Sequence, residues 1–160
     1  MKVKERDLED FVFNSSFMDL VDCGLILNRC TSIKKRQLNL GKHGRMDMLT
    51  FQRETEHFER EADINCMIEI IEFKKGIIDA NVIAQAARYY QGIRKYLRGR
   101  KSKLKPHYKI VLIGRTVSEE AILIKSLFVG HKVTVALVTY NYVDGEFEFN
   151  HIFFDKKNLI

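Results

Sequence analysis

The sequence predicts a mixed α/β fold, a β-sheet flanked by helices. Three observations carry the prediction. The Ile-rich run 65–74 has apolar residues on both faces, the pattern of a central strand covered on two sides. Immediately after it the period changes: Ile78, Val82, Ala86, Tyr89, Ile93 and Tyr96 recur at three- and four-residue spacing. Near the carboxyl end, Asp144-Gly145 separates two strand-like segments and is a strong hairpin signal. A chain of 160 residues is expected to form one domain, residues 1–160, with enough buried surface for a core.

The elements follow in order. A first helix over 5–14 places Leu8, Phe11 and Val12 on one face. Extended chain is expected over 24–40, interrupted near Thr31 and Ser32. A turn at 41–44 leads to a strand over 45–52. The charged stretch 53–63 reads as a hairpin loop, and 65–74 as the buried strand. A long amphipathic helix spans 79–97, with Asp79 as its cap. A short apolar strand lies at 108–114, with Pro106 in the loop before it. Thr116 with Glu119 fits a capping box opening a helix that reaches 128. Residues 131–142 and 145–154 read as strands joined by the Asp144-Gly145 turn.

Hydrophobic content of 46% and charged content of 30% are those of a globular protein and exclude a disordered tail. No apolar run approaches the roughly 18 residues of a membrane span, so no membrane association is expected. The charged start MKVKERDLED does not resemble a secretory signal. Cys23, Cys30 and Cys66 form an odd set without a CxxC pair, so a disulfide framework or cysteine-rich zinc site is not expected. A reducing, cytoplasmic or nucleoid-associated location follows as the expectation. Histidines are scattered, and His43 reads as a solvated turn residue.

Charge distribution is more informative than its total of +6. Residues 80–118 contain no Asp or Glu but hold ten cations: Arg88, Arg94, Lys95, Arg98, Arg100, Lys101, Lys103, Lys105, Lys109 and Arg115. The remaining 17 basic and 21 acidic residues leave the rest of the chain at −4. A concentrated positive field attracts a polyanion, although a solvated helix end and a Lys-rich loop would give the same pattern. Tyr96 and Tyr108 lie among these cations; stacking on unpaired bases is one reading, and core packing the expectation for Tyr96. Phe147, Phe149, Phe153 and Phe154 read as core or interface.

The chemistry centres on Asp47 in Gly44-Arg-Met-Asp-Met-Leu and on Glu72-Phe-Lys74 at the end of the buried strand. Residues two apart on a strand share a face, so Glu72 and Lys74 project side by side. If the strands at 45–52 and 65–74 pair, Asp47 joins them. Two carboxylates and the Phe73 backbone carbonyl are hard oxygen donors of the kind Mg²⁺ prefers. A neighbouring lysine can hold a phosphate oxygen or orient the attacking water. The alternative is a surface Glu–Lys pair of little energetic consequence. On the following helix, Gln85 and Tyr89 lie one turn apart, with Arg88 adjacent.

Taken together these residues resemble the PD-(D/E)xK nuclease superfamily, with its restriction-endonuclease-like fold, in the RecB-like branch: G-x-x-D, an apolar strand ending E-x-K, then Q-x-x-x-Y on a helix. Leu8-Glu-Asp-Phe11, Gly44 to Leu49, Glu72 to Gly76 and Gln85 to Tyr89 are similar to the catalytic domain of NucS-type (EndoMS) endonucleases, over about residues 5–115. The resemblance implies a metal-dependent DNA nuclease. Asp47 and Glu72 would bind Mg²⁺ or Mn²⁺ with help from the Phe73 carbonyl, and Lys74 would activate water. Glu9 would be an outer carboxylate, Gln85 would orient the site or touch the scissile strand, and Tyr89 would pack behind it, with Tyr90 as a substitute. Arg45 and Arg88 would contact phosphate, and the basic segment from Arg94 to Lys109, with Arg98, Arg100, Lys101, Lys103 and Lys105, would lie against the DNA backbone. Met46 replaces the proline of the superfamily's name. Residues 131–160 match no motif, and nothing corresponds to the amino-terminal dimerisation and DNA-binding domain of the longer relatives. A homodimer, a larger defence or transposition complex, and a binding or assembly subunit inactive alone remain as alternatives.

Overall fold

A computed structural model describes residues 3–26, 32–53, 65–101, 104–127 and 133–152. The expected loop at 53–63 therefore lies almost wholly outside the described residues, as do Cys30, Lys103, Phe153 and Phe154.

Helices α1 (Glu5–Asn14) and α2 (Phe17–Asp22) precede strands β1 (Ser32–Asn39), β2 (Arg45–Arg53) and β3 (Asn65–Phe73). A two-residue strand β4 (Ile77–Ile78) leads into helix α3 (Ala80–Gly99). Then come β5 (Lys105–Gly114), β6 (Thr116–Val117), α4 (Glu119–Ser126), β7 (Val133–Val143) and β8 (Glu146–Ile152). The main sheet has the order β1-β2-β3-β5-β7-β8. β3, β5 and β7 are parallel neighbours; β1, β2 and β8 are antiparallel additions at the two edges. The mixed α/β sheet expected from the sequence is what the chain forms.

The strand β3 shows why. Ile68 and Ile70 enter one core with Val82, Ala86 and Ile93 of α3 and Ala121 of α4. Ile71 and Phe73 enter a second core with Leu8 and Val12 of α1 and Leu20 of α2. Alternate side chains of one strand thus feed two layers. Parallel neighbours need crossovers, and α3 and α4 supply them. Asp79 caps α3 through Oδ1, which accepts the Val82 N–H at 3.1 Å. The Asp144-Gly145 turn has positive φ at both residues (50° and 90°), as a tight hairpin of matching twist requires.

Several expectations are corrected. The stretch 17–22, given no element above, is helical: Ser16 Oγ accepts the Asp19 N–H at 3.1 Å and opens α2. Ser118, not Thr116, caps α4, through its bond from the Ala121 N–H; Thr116 instead pairs with Ile77 in a small parallel ladder. Pro106 belongs to strand β5, which starts at Lys105, rather than to the loop before it. Tyr96 is 55% exposed rather than core, whereas Tyr108 is buried edge-on against Tyr90. Among the described residues no helix is long and apolar enough to cross a membrane.

Candidate active site

The site lies where β2 and β3 part. Their ladder runs from Arg53↔Cys66 to Met48↔Ile71 and goes no further. The next donor on β3, the Phe73 N–H, is taken by the Asp47 carboxylate, Oδ2 at 2.9 Å. Asp47 therefore substitutes for a backbone acceptor at the mouth of a splayed strand pair. The irregularity extends to β1: the β1–β2 ladder skips Gln37 opposite Asp47, and Gln37 holds φ +53°. Met48 joins the core beneath α1 while Met46 joins that beneath α3, so regular alternation is broken around Asp47.

Glu72 and Lys74 are side by side, as their spacing predicts. Lys74 Nζ donates to Glu72 Oε1 at 3.0 Å. Glu72 is 2% exposed, and its Oε2 is buried without a hydrogen bond among the described residues. Burial first, and then the charge of Asp47, push the Glu72 carboxyl up to about 7. Asp47 is also raised, mainly by burial and further by Glu9, against the opposing pull of the Phe73 N–H and Lys74. Burial works against the charged form of Lys74, but Glu72, Asp47 and Glu5 outweigh it and hold the ammonium above its ordinary value. The end of β3 is also fixed by its neighbours: the Lys74 N–H bonds Ile113, and the Lys75 N–H bonds Glu5 Oε2 at 2.9 Å.

Helix α3 delivers Tyr89 from the other side. Its hydroxyl accepts from Gln85 Nε2 at 2.6 Å and donates to the Arg45 carbonyl at 2.7 Å. Burial and the charge of Glu72 raise the phenol. Gly44, at φ +100°, lets the turn pass this ring; a Cβ there would meet Tyr89 Cε1 at 3.1 Å.

Helix α1 contributes Glu9. It is 7% exposed, and its Oε1 accepts from Arg36 Nε at 3.0 Å and from Gln37 Nε2 at 2.9 Å. Lys34 secures the end of α1 by bonding the Phe13 and Ser15 carbonyls, a cation on the negative end of the helix. Glu9, Asp47, Arg36 and Gln37 share the wall of a cleft of about 620 Å³ with Glu5 and Arg6. Arg36 and Gln37 were not anticipated, because nothing in their local sequence marks them.

Asp47, Glu72, Lys74, Gln85 and Tyr89 are thus brought together, with Glu9 beyond Asp47. The basic residues are not gathered there. Arg45 and Arg88 are exposed near the site, whereas Arg94, Arg98, Arg100 and Lys101 continue along α3 to its far end. Lys105 begins β5, opposite Asn65, at the other end of the sheet from Glu72. Seven residues of strand separate the two positions, about 23 Å. Lys109 is buried and donates to the Gly24 and Leu25 carbonyls, so it is no phosphate contact. His43 is half-buried against Gly92 rather than solvated.

The donor set suits a hard divalent cation. Two adjacent carboxyls raised by burial, Glu72 further by the charge of Asp47 and with one buried oxygen lacking a hydrogen bond among the described residues, gain from a positive charge between them. Among the described residues no three His, Cys, Asp or Glu side chains form a metal-holding group; Glu9 is turned to Arg36 instead. The chain matches no protein-family model, no curated protein and no solved structure.

Proposed function

We propose that this chain is a metal-dependent DNA nuclease of the PD-(D/E)xK type. The observation that carries the reading is the Asp47–Glu72–Lys74 cluster, with a buried Glu72 oxygen that has no hydrogen bond among the described residues, beside a second carboxyl at a strand fork. Asp47 and Glu72, with the Phe73 carbonyl, would hold Mg²⁺ or Mn²⁺. Such an ion supplies charge stabilisation at the phosphate and a more acidic bound water. Lys74 is a proton donor and point charge within reach of the same place, suited to orienting water or a phosphate oxygen. Tyr89 and Gln85 brace the backbone at Arg45, two residues from Asp47. Glu9 lies where it bounds the Asp47 side of the cleft.

A second reading is a nucleic-acid-binding or assembly subunit that does not cut alone. It is favoured by the engagement of Glu9 with Arg36, which leaves two carboxylates at the fork. Cleavage of plasmid, linear duplex, flap, branched and single-stranded DNA with Mg²⁺, Mn²⁺ or EDTA separates the two. Metal-dependent cutting by the wild type, lost in Asp47→Ala, Glu72→Ala and Lys74→Ala, supports the nuclease. A folded, metal-supplied wild type that cuts nothing favours the second reading.

A further inference from the structure

The basic residues of α3 do not surround the carboxylates, so their role needs a separate account. The short 3₁₀ turn Gly41–His43 packs against the carboxyl-terminal half of α3. A Cβ at Gly92 would meet His43 Cβ at 3.0 Å, so the turn is seated on the helix by the missing side chain. Two adjoining hollows of about 550 and 540 Å³ open beside this contact and share His43, Lys95 and Gly99. Arg94 and Arg98 line one, Lys42, Tyr96 and Arg100 the other. No acidic residue lines either hollow among the described residues. The buried His43 Nε2 has no hydrogen bond among the described residues.

Tyr96 is the distinctive feature. It is 55% exposed, and the Arg100 guanidinium lies 4.7 Å from its ring centroid. An exposed aromatic ring among cations with no acidic neighbour has the two properties needed by a strand of nucleic acid. Bases stack on the ring, and phosphates meet the charges. Bases in a duplex are already stacked on each other, so the ring is useful only to an unpaired base.

We propose that the cleft between the Gly41–His43 turn and the end of α3 binds a single, unpaired nucleic-acid strand, with Tyr96 as the surface on which a base stacks. This deepens the nuclease reading, on which it rests, by naming the form of the substrate. Tyr89 and Tyr96 are seven residues apart and share a helical stripe, about 10 Å along the axis. Lys95 and Arg98 flank that stripe with positive charge. Tyr96 therefore lies two helical turns of α3 beyond the tyrosine that braces the carboxylate site.

The test is equilibrium binding to the full chain in EDTA, by fluorescence anisotropy. The probes are short labelled oligo-dT, oligo-U and a blunt DNA duplex of the same length. The wild type is expected to bind single strands more tightly than duplex; a preference for oligo-dT or oligo-U within that class assigns the sugar and supports the site either way. Tyr96→Ala should weaken single-strand binding by roughly 5- to 100-fold, and Tyr96→Phe should keep it. Lys95→Ala with Arg98→Ala should flatten the salt dependence. Tyr96→Ala binding like the wild type overturns the proposal, as does equal loss for duplex and single strands, or no single-strand binding at all. Binding without metal-dependent cleavage would then reject the nuclease while keeping the cleft, and cleavage without Tyr96-dependent binding would do the reverse. Tyr96 is half in water, so its variants should unfold at the wild-type temperature.

Discussion

Strand β3 carries two buried glutamates, three residues apart and facing opposite sides of the sheet. Glu69 and Glu72 are both almost completely removed from water. Each has a lysine near it. The resemblance ends there. Glu69 Oε1 accepts from Thr50 Oγ1 at 3.0 Å and from Gln52 Nε2, both on β2. Lys109 is its register partner on β5, and its amine is held by the carbonyls of Gly24 and Leu25. Burial depresses Lys109 while Glu69 holds it up. Glu72, in contrast, has one cation, a like-charged neighbour in Asp47, and an oxygen with no hydrogen bond among the described residues. The comparison teaches that burial of charge does not by itself mark a site. A carboxylate met by two donors is architecture, even with the neighbouring Gln52 Oε1 left without a hydrogen bond among the described residues; a carboxylate oxygen without one, beside a second carboxyl and a cleft, has capacity left for a cation.

The largest effect that would test this contrast is on activity. Glu72→Gln keeps the shape of the fork and removes its charge. DNA cleavage should fall by about 100- to 1,000-fold or more, while urea unfolding shows no loss of stability. Cleavage at the wild-type rate by the Gln variant would remove Glu72 from the chemistry altogether.

The sealed cluster should behave in the opposite way. Lys109→Met leaves Glu69 buried without its cation and should cost about 3 kcal/mol or more of unfolding free energy. Activity of the remaining folded protein should be unchanged. Adding Glu69→Gln to that variant should recover much of the loss, because both charges are then gone. If the double variant is as unstable as the sum of the singles, the two groups are not a coupled pair.

A smaller effect appears with pH. The folded carboxyl of Glu72 sits at about 7 against an ordinary value of 4.5, so its contribution to stability is fully present below about pH 4.5. That contribution disappears as pH rises through about 7. The groups that face it are Asp47, also raised, and Lys74 and Tyr89. Measured in EDTA, Glu72→Gln should gain stability relative to wild type between pH 5 and pH 8, by about 2–3 kcal/mol. A difference that stays flat with pH would mean that Glu72 is ionised throughout.

How much of this contrast the sequence could reveal follows from range. α1, β2, β3 and α3 each carry a full local pattern, an amphipathic period or a two-sided Ile run, and their boundaries were close to those observed. α2 was missed because six residues with one buried side chain, Leu20, do not establish a period. Asp47, Glu72 and Lys74 were legible because strand alternation and one pairing assumption suffice to bring them together. Lys109 was misread as one more surface cation, since its partner Glu69 is forty residues away and only the parallel β3–β5 register joins them. Arg36 went unnoticed for the same reason: what marks it is Glu9 on a helix, not its neighbours on β1. Tyr96 was placed in the core by its helical spacing, but its stripe runs past the Gly41–His43 turn into solvent.

Tyr89 offers the finest test, because it touches the open cluster without belonging to it. Its hydroxyl ties α3 to the Arg45 carbonyl, and through that to the strand bearing Asp47. Tyr89→Phe removes one buried hydroxyl and two hydrogen bonds at constant ring volume, so the fold should lose only about 1 kcal/mol. If the tie positions Asp47, turnover should fall by about tenfold with little change in KM. The pH at which activity rises should shift as well, since the phenol and Glu72 interact. A purely packing role predicts the stability loss alone. The residue whose ring fills a core and whose oxygen steadies a carboxylate is therefore where the satisfied and unsatisfied parts of the molecule meet, and the split between stability and turnover measures how firmly they are joined.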